Sequence, residues 1–373
     1  MLYLDNAATT LKKPVSVYRE LIKNTLFCGG NAGRGGHRQS MAAVRTIVDT
    51  QDLIAQLFNI PLPQNIVFTQ NATYALNTAI FGTVRDGGHI VITQMEHNSV
   101  LRPAYYLGNY TVAKADVSGY VSPEAVEAAI REDTRLIVCT HASNVCGTLQ
   151  PVSEIGLIAK KHGIPFLVDT AQTAGCVEID AVEMNADMIV FSGHKGLMGP
   201  MGTGGLYIKN PEAVTPLVMG GTGSDSESIV QPLFMPDKFH SGTMNTPAIA
   251  ALGAGVRYVL CRGAEEIGEH EKHLADRFRD NLANMNDILL YGGKDSIATV
   301  AFNVGTLGSE ELFERFGGKA AVRAGYHCAP LAHEAIGTQD RGAVRASFGI
   351  FNTLRDVEKM TDYVYHISRD LKG

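Results

Sequence analysis

Short, nearly continuous apolar runs recur along the chain at Asn65–Thr69, Ile90–Thr93, Leu136–Thr140, Pro165–Asp169, Met188–Ser192 and Gly204–Ile208. Each is bounded by polar residues or glycine, the pattern of strands covered on both faces of a sheet. Between them lie helical patterns such as Val152–His162, where Ile155, Ile158 and Ala159 recur at helical spacing. Strands alternating with helices in this way predict an α/β sheet with helices on both sides. From about Thr246 the texture changes. A long helical stretch, Pro247–Asn284, leads into Ile288–Tyr291, then Ile297–Val304, further helices, and an amphipathic helix from about Leu354. The pattern predicts a large domain over 13–246 and a smaller α+β domain built from 247–373 together with residues 1–12.

A chain of 373 residues is long enough for about two domains. Its net charge of −6, with no basic run, leaves no electrostatic footprint for nucleic acid and directs attention to a small-molecule substrate. No apolar run reaches the roughly 18 residues of a membrane helix, and the alanine-rich stretch 247–260 contains Arg257. The opening residues Met1–Asn6 carry no basic segment and no long apolar core, so a cytoplasmic protein is expected. Six cysteines form no CxxC pair and no zinc-ligand spacing, so no metal is expected and most should be reduced, buried thiols.

Chemistry concentrates where predicted strands end. In Ile189–Gly196 (IVFSGHKG) a strand delivers Lys195 to a sharp bend at a sheet edge, where lowered basicity makes an amine nucleophilic toward a carbonyl. Alone, this is more often a surface lysine. In Phe166–Gln172 (FLVDTAQ) an acid, Asp169, closes a buried strand, where an unpaired carboxylate is costly unless it meets a cation or caps a helix. After Asn65–Thr69 comes Gln70–Asn77 (QNATYALN), a turn opening a helix, whose free amides and the Thr73 hydroxyl suit an anion, with Ser192 as a second hydroxyl. The glycine-rich stretch 199–205 precedes a strand instead of following one, which argues against dinucleotide binding.

Together Thr73, Asp169, Gln172 and the run Ser192-Gly-His-Lys195 resemble the class V aminotransferase-fold enzymes, and more narrowly the cysteine desulfurases and selenocysteine lyases. The likeness continues through YLDNAAT (3–9), MEHNS (95–99), HASNVCGT (141–148), SGTMNT (241–246), RAGYHC (323–328) and VRASFGIFNT (344–353), in order along almost the whole chain. The resemblance implies a pyridoxal-phosphate-dependent transferase fold of type I, a large mixed-sheet α/β/α domain with a smaller α+β C-terminal domain. It also implies pyridoxal 5'-phosphate held as an internal aldimine by Lys195, with Asp169 at the pyridine nitrogen, Gln172 at the ring hydroxyl and His97 stacked on the ring. Thr73, Ser192 and His194 would bind the phosphate, with Thr243 arriving from a second subunit of a homodimer. Arg345 would clamp the substrate carboxylate beside Asn144, with Arg34 and Arg323 as weaker candidates. Cys328 would take the sulfur as a persulfide, leaving alanine.

Only 16 residues separate Cys328 from Arg345, which resembles the branch whose cysteine sits on a short, ordered lobe and hands its sulfur to a partner acceptor or a reductant. Iron–sulfur cluster assembly is one pathway such an enzyme feeds. Ala72 stands where many relatives carry a hydroxyl, and Thr170 where they carry glycine or alanine. An aminotransferase or β-lyase on the same scaffold would need Lys195 and Asp169 but not Cys328. A sulfur carrier without catalysis would need neither the lysine nor its cofactor.

Overall fold

The computed structural model describes residues 1–33, 35–85 and 87–371. Along the chain run β1 (Leu2–Tyr3), α1 (Val15–Phe27), α2 (Arg38–Leu57), β2 (Ile66–Thr69), α3 (Ala72–Thr83), β3 (His89–Thr93), α4 (Asn98–Leu107), β4 (Tyr110–Ala113), α5 (Pro123–Ala128), β5 (Thr134–Thr140), α6 (Val152–His162), β6 (Phe166–Asp169), β7 (Met188–Ser192) and β8 (Gly204–Ile208). They are followed by α7 (Thr246–Arg262), α8 (Ala264–Ala283), β9 (Ile288–Tyr291), β10 (Thr299–Val304), α9 (Ser309–Arg315), β11 (Ala320–Ala321), β12 (Arg323–Gly325), α10 (Pro330–Ala335), β13 (Ala343–Ser347) and α11 (Leu354–Asp370).

Seven strands form the main sheet in the order β2-β8-β7-β6-β5-β3-β4. The four pairings among β3 to β7 are parallel, whereas β8 is antiparallel to both β7 and β2. The reason lies in the connection. Residues 193–203 are too few for a helical crossover, so β8 can only turn back beside β7. Side chains of β3, β6, β7 and β8 are buried on both faces, as their unbroken apolar runs require. The apolar pattern did not announce β4, because this edge strand is only half covered and its YTVA sequence mixes polar and apolar positions.

Two further expectations are corrected. The stretch Pro247–Asn284 is not one helix: Gly263, at φ +89°, ends α7 by donating its N–H to Val259 O and starts α8 at once. That φ is open to glycine and closed to most residues. Nor are most cysteines buried. All six are free, but only Cys139 and Cys146 are fully enclosed, Cys28 and Cys176 are intermediate, and Cys261 and Cys328 are exposed.

A second, antiparallel sheet runs β12-β13-β10-β9. Helices α8 and α11 cover it, and Phe278 of α8 meets Phe302 and Phe348 edge-on at 5.8 and 5.7 Å. The chain's start joins this sheet's core: β1 pairs with β11, and Ser347 N donates to Leu4 O at 2.7 Å. Asp5 is thereby carried to the crevice where the two sheets meet.

Candidate active site

Because β3, β5, β6 and β7 are parallel, the segments following them emerge at one edge of the sheet, where ligands of open α/β sheets bind. The start of α3 arrives at the same edge, since β2 points the same way as β7. One cavity of about 110 Å³ results. Thr73 of α3, His97 after β3, Asn144 after β5, Asp169 and Gln172 after β6, and Ser192, His194 and Lys195 after β7 all line it.

The lysine-bearing turn is fixed from below. His194 O accepts from Lys13 Nζ at 2.8 Å, from the Thr9 and Thr10 hydroxyls at 3.2 and 3.1 Å, and from Thr10 N at 3.3 Å. A Cβ at Gly193 would lie 2.1 Å from Thr203 Oγ1, and one at Gly196 would lie 2.3 Å from Ala174 O. Glycine on both sides therefore lets the turn sink into the protein and leaves Lys195 opening onto the cavity. Burial lowers the Lys195 pKa to about 8, with the Arg345 and Arg323 charges adding to it and Asp169 opposing. An appreciable fraction of the amine is then unprotonated near neutral pH, as a carbonyl-capturing lysine needs.

Asp169 is buried at the end of β6, where Oδ1 accepts from Ala171 N at 2.9 Å. Desolvation raises its pKa, against the pull of that amide and of Lys195. A cation brought into the cavity would relieve the cost of ionising it. Glu96 lies fully buried nearby. It accepts from Thr93 Oγ1 at 2.5 Å and Thr140 N at 2.8 Å, and burial, with Asp169 adding to it, pushes its pKa up to about 8. Glu96 thus stays neutral at neutral pH and does not compete with Asp169 for a cation.

His97 caps α4, its Nδ1 accepting from Ser99 N at 3.0 Å and pairing with Ser99 Oγ at 2.8 Å. Burial, then the charges of Lys195, Arg102 and Arg345, lower its pKa to about 4, so the ring is neutral, with its proton assigned to Nε2. Ser99 Oγ in turn lies 2.8 Å from Thr73 Oγ1. A hydroxyl relay therefore joins the histidine to the start of α3. There Asn71 caps the helix through Tyr74 N at 2.9 Å, and the remaining first-turn amides have no partner within the helix. His194 Nδ1, on the same cavity wall, is buried without a hydrogen-bond partner among the described residues.

Arg345 on β13 is buried. Its Nη1 donates to Asn144 O at 2.7 Å and its Nη2 to Asp5 Oδ1 at 3.0 Å, while Nε has no partner among the described residues. Arg323 turns away and grips the other oxygen of Asp5, with Nη2 at 3.0 Å, so it acts on the site through Asp5 and Arg345. Cys328 is exposed between β12 and α10. Its carbonyl accepts from Asn98 N at 2.7 Å, beside His97, and the carbonyl of His327 accepts from Asn144 Nδ2 at 2.6 Å. Thr243 does not reach the Lys195 cavity. It lines a separate cavity of about 880 Å³ with residues such as Asn31 and Gly221. Arg34 lies outside the described residues.

These side chains fit pyridoxal phosphate. The cavity offers an amine of lowered basicity, a carboxylate in want of a cation, and a helix start with an unpartnered imidazole nitrogen beside it. Sequence reasoning had not singled out Ser99, Glu96 or Asp5. All three lie inside or next to quoted motifs, but only the fold shows what they touch.

The family model for aminotransferase class-V matches residues 2–360. A Methanothermobacter thermautotrophicus protein bearing the name probable cysteine desulfurase is 32% identical, over 98% of this chain and 94% of that protein. A cysteine desulfurase of Salmonella dublin is 31% identical, over 98% and 93%. Among solved structures, the apo cysteine desulfurase from Thermococcus onnurineus NA1 superposes with a TM-score of 0.91 at 31% identity, covering 99% of this chain and 95% of that one.

Proposed function

The chain belongs to the aminotransferase class-V family, and from that premise we propose that it is a pyridoxal-phosphate-dependent cysteine desulfurase in which Lys195 holds the cofactor and Cys328 takes the sulfur. One observation carries the assignment of residues: an exposed thiol, Cys328, hydrogen-bonds through its backbone to the His97 turn beside the cavity of the desolvated Lys195.

Asp169 would pair with the protonated ring nitrogen, Gln172 with the ring hydroxyl, and the start of α3 with Thr73, Ser192 and His194 would take the phosphate. When bound, the cofactor supplies an electron sink that makes the substrate's α-proton acidic. Arg345, pinned on one edge by Asn144 and Asp5, presents its remaining donors to the substrate carboxylate. Lys195 Nζ is suited to move the α-proton, and the neutral His97 ring adds a second exchangeable proton at Nε2. The Cys328 thiolate attacks the substrate's sulfur. A sulfur–sulfur bond forms as the carbon–sulfur bond breaks, and the electron pair goes to the carbon that becomes the methyl group of alanine.

Two features support a homodimer. Tyr18, Ile22 and Leu26 form an exposed apolar stripe on α1, and Thr243, of the phosphate-binding motif, is remote from its own chain's Lys195 cavity. The brief excursion from β12 to β13 keeps Cys328 close to its scaffold, which favours delivery to a visiting acceptor protein or a small reductant. The test is alanine formation from L-cysteine by the yellow holoenzyme under reductant, beside Cys328→Ala and with L-selenocysteine as a second substrate. Alanine from cysteine that vanishes in the variant supports the reading. Alanine formation from cysteine that survives Cys328→Ala, or alanine that is absent with both substrates, overturns it.

A further inference from the structure

Strands β12 and β13 pair antiparallel with Arg323 directly opposite Arg345. Side chains of directly paired residues share a face, with Cα atoms about 4.5–5.5 Å apart, and like charges placed there repel. Two guanidinium groups are thus set side by side, Arg345 buried and Arg323 half in solvent. One carboxylate answers both. Asp5 divides its oxygens: Oδ1 accepts from Arg345 Nη2 at 3.0 Å, while Oδ2 accepts from Arg323 Nη2 at 3.0 Å and Nε at 3.3 Å.

The backbone that carries Asp5 is fixed. It bridges to Ser347, and the Asp5 carbonyl accepts from Ala8 N and Thr9 N at 3.1 and 3.3 Å. The remaining freedom is the side chain's own torsions, and these decide how the carboxylate meets Arg345. A carboxylate beside a guanidinium frequently closes as a bidentate pair, with two parallel N–H···O bonds. Asp5 does not do so here. Arg345 gives it the single donor Nη2, sends Nη1 to Asn144 O at 2.7 Å, and keeps Nε without a partner among the described residues. What holds the second oxygen of Asp5 away is the two-pronged grip of Arg323. If Asp5 took a second donor of Arg345, it would fill the position that an incoming carboxylate needs.

We propose that Arg323 is a positioning residue for substrate binding: by holding Asp5 Oδ2 it limits Asp5 to one donor of Arg345 and keeps the other donors open to the substrate carboxylate. Arg323 acts through Asp5 and makes no contact of its own with the substrate. Asp5 in turn serves as the counterion of both arginines in the empty site without taking the substrate's place. This inference rests on Arg345 being the carboxylate clamp of the proposed reaction, which Arg345→Lys judges separately.

The test is a double-mutant cycle on the holoenzyme. It reads the Kd of L-alanine, the amino-acid product, from the visible absorbance of the bound cofactor, together with kcat and KM for L-cysteine. Working in about 0.5 M salt screens the exposed charge of Arg323, so its long-range pull on any anion drops out. In Arg323→Met the second oxygen of Asp5 is released onto Arg345. The Kd of L-alanine and the KM for cysteine should each rise about 3- to 10-fold, with kcat within about twofold of the unmodified enzyme. Arg323→Lys, which can still hold Oδ2, should restore most of the affinity. Asp5→Asn offers one carbonyl oxygen and no anion, so it cannot close on Arg345 with two. In that background Arg323→Met should change the Kd by less than about twofold. Equal weakening by Arg323→Met in both backgrounds, no weakening in the unmodified chain, or a loss confined to kcat overturns the proposal. In each of these cases a raised KM in Arg345→Lys leaves the clamp itself standing, whereas an unchanged KM there overturns the clamp and this inference together.

Discussion

Lys195 illustrates how a common side chain acquires uncommon chemistry from its position. Its amine would titrate near 10.5 in water, and burial brings that to about 8. We expect Lys195→Ala to bind no covalent chromophore, read as loss of visible absorbance, and to form no measurable alanine from cysteine. Arg345 is held by two different elements, and its planar donors cannot be reproduced by an ammonium. Arg345→Lys should therefore lower kcat/KM for cysteine by about 10- to 100-fold, mainly through KM, corresponding to roughly 1.5–3 kcal/mol for a charged hydrogen bond. An unchanged KM would remove Arg345 from the carboxylate-binding role. At this scale Lys195, Asp169 and Thr73, which line one cavity, were singled out through the motifs around them taken together, since position and residue type alone mark a surface lysine, a helix cap and a capped helix start as readily. Ser99, Glu96 and Asp5 were not. A serine after a capping histidine, a glutamate before it and an aspartate near the start of the chain look ordinary until their neighbours are known.

At the scale of elements, helix α8 docks so closely on the segment that follows β6 that a side chain is excluded at the contact point. A Cβ at Gly268 of α8 would lie 1.9 Å from Cys176 O, a backbone atom that cannot step aside. Gly268→Ala should therefore destabilise the protein by about 1–3 kcal/mol, seen as a lower Tm despite alanine's better helix propensity. Gly308, the N-cap of α9 at φ −67°, has no atom of the described residues within 4 Å of its Cβ position. Gly308→Ser should leave Tm unchanged or raise it slightly, by a few tenths of a kcal/mol. Equal losses at both sites would show that helix docking does not decide these glycines. The buried strands were read correctly because double-sided burial writes itself as an unbroken apolar run. Strand β4 was missed because an edge strand does not, and the α7–α8 break was missed because one glycine's φ is invisible in a helical pattern.

Across the whole molecule, burial of ionisable groups sets a pH optimum for stability. His97, His141, His194, His240 and His333 are lowered from 6.5 to about 4, and His327 to about 2. Between the folded and unfolded values the unfolded chain holds more protons, so stability is lost as pH falls below about 6.5. Glu96 and Glu271 are raised from 4.5 to about 8, so there the folded chain holds more protons and stability is lost as pH rises toward about 8. The histidines outnumber the carboxyls below 6.5 and fall silent above it. Urea midpoints of the protein stripped of cofactor should therefore peak near pH 6.5, and the combined Glu96→Gln and Glu271→Gln variant should flatten the alkaline side. A midpoint rising steadily from pH 6.5 to 8 would contradict the assignment of these buried acids. The sequence by itself determined the alternation of strands and helices, the ends of the strands that carry chemistry and the family likeness, since each is written in local spacing and residue type. Tertiary structure alone decided that Asp5 comes from the far end of the chain to hold Arg345 and Arg323, and that Thr243 lies away from its own chain's Lys195 cavity. Those contacts depend on sheet order and on how the two sheets are joined, which no local pattern encodes.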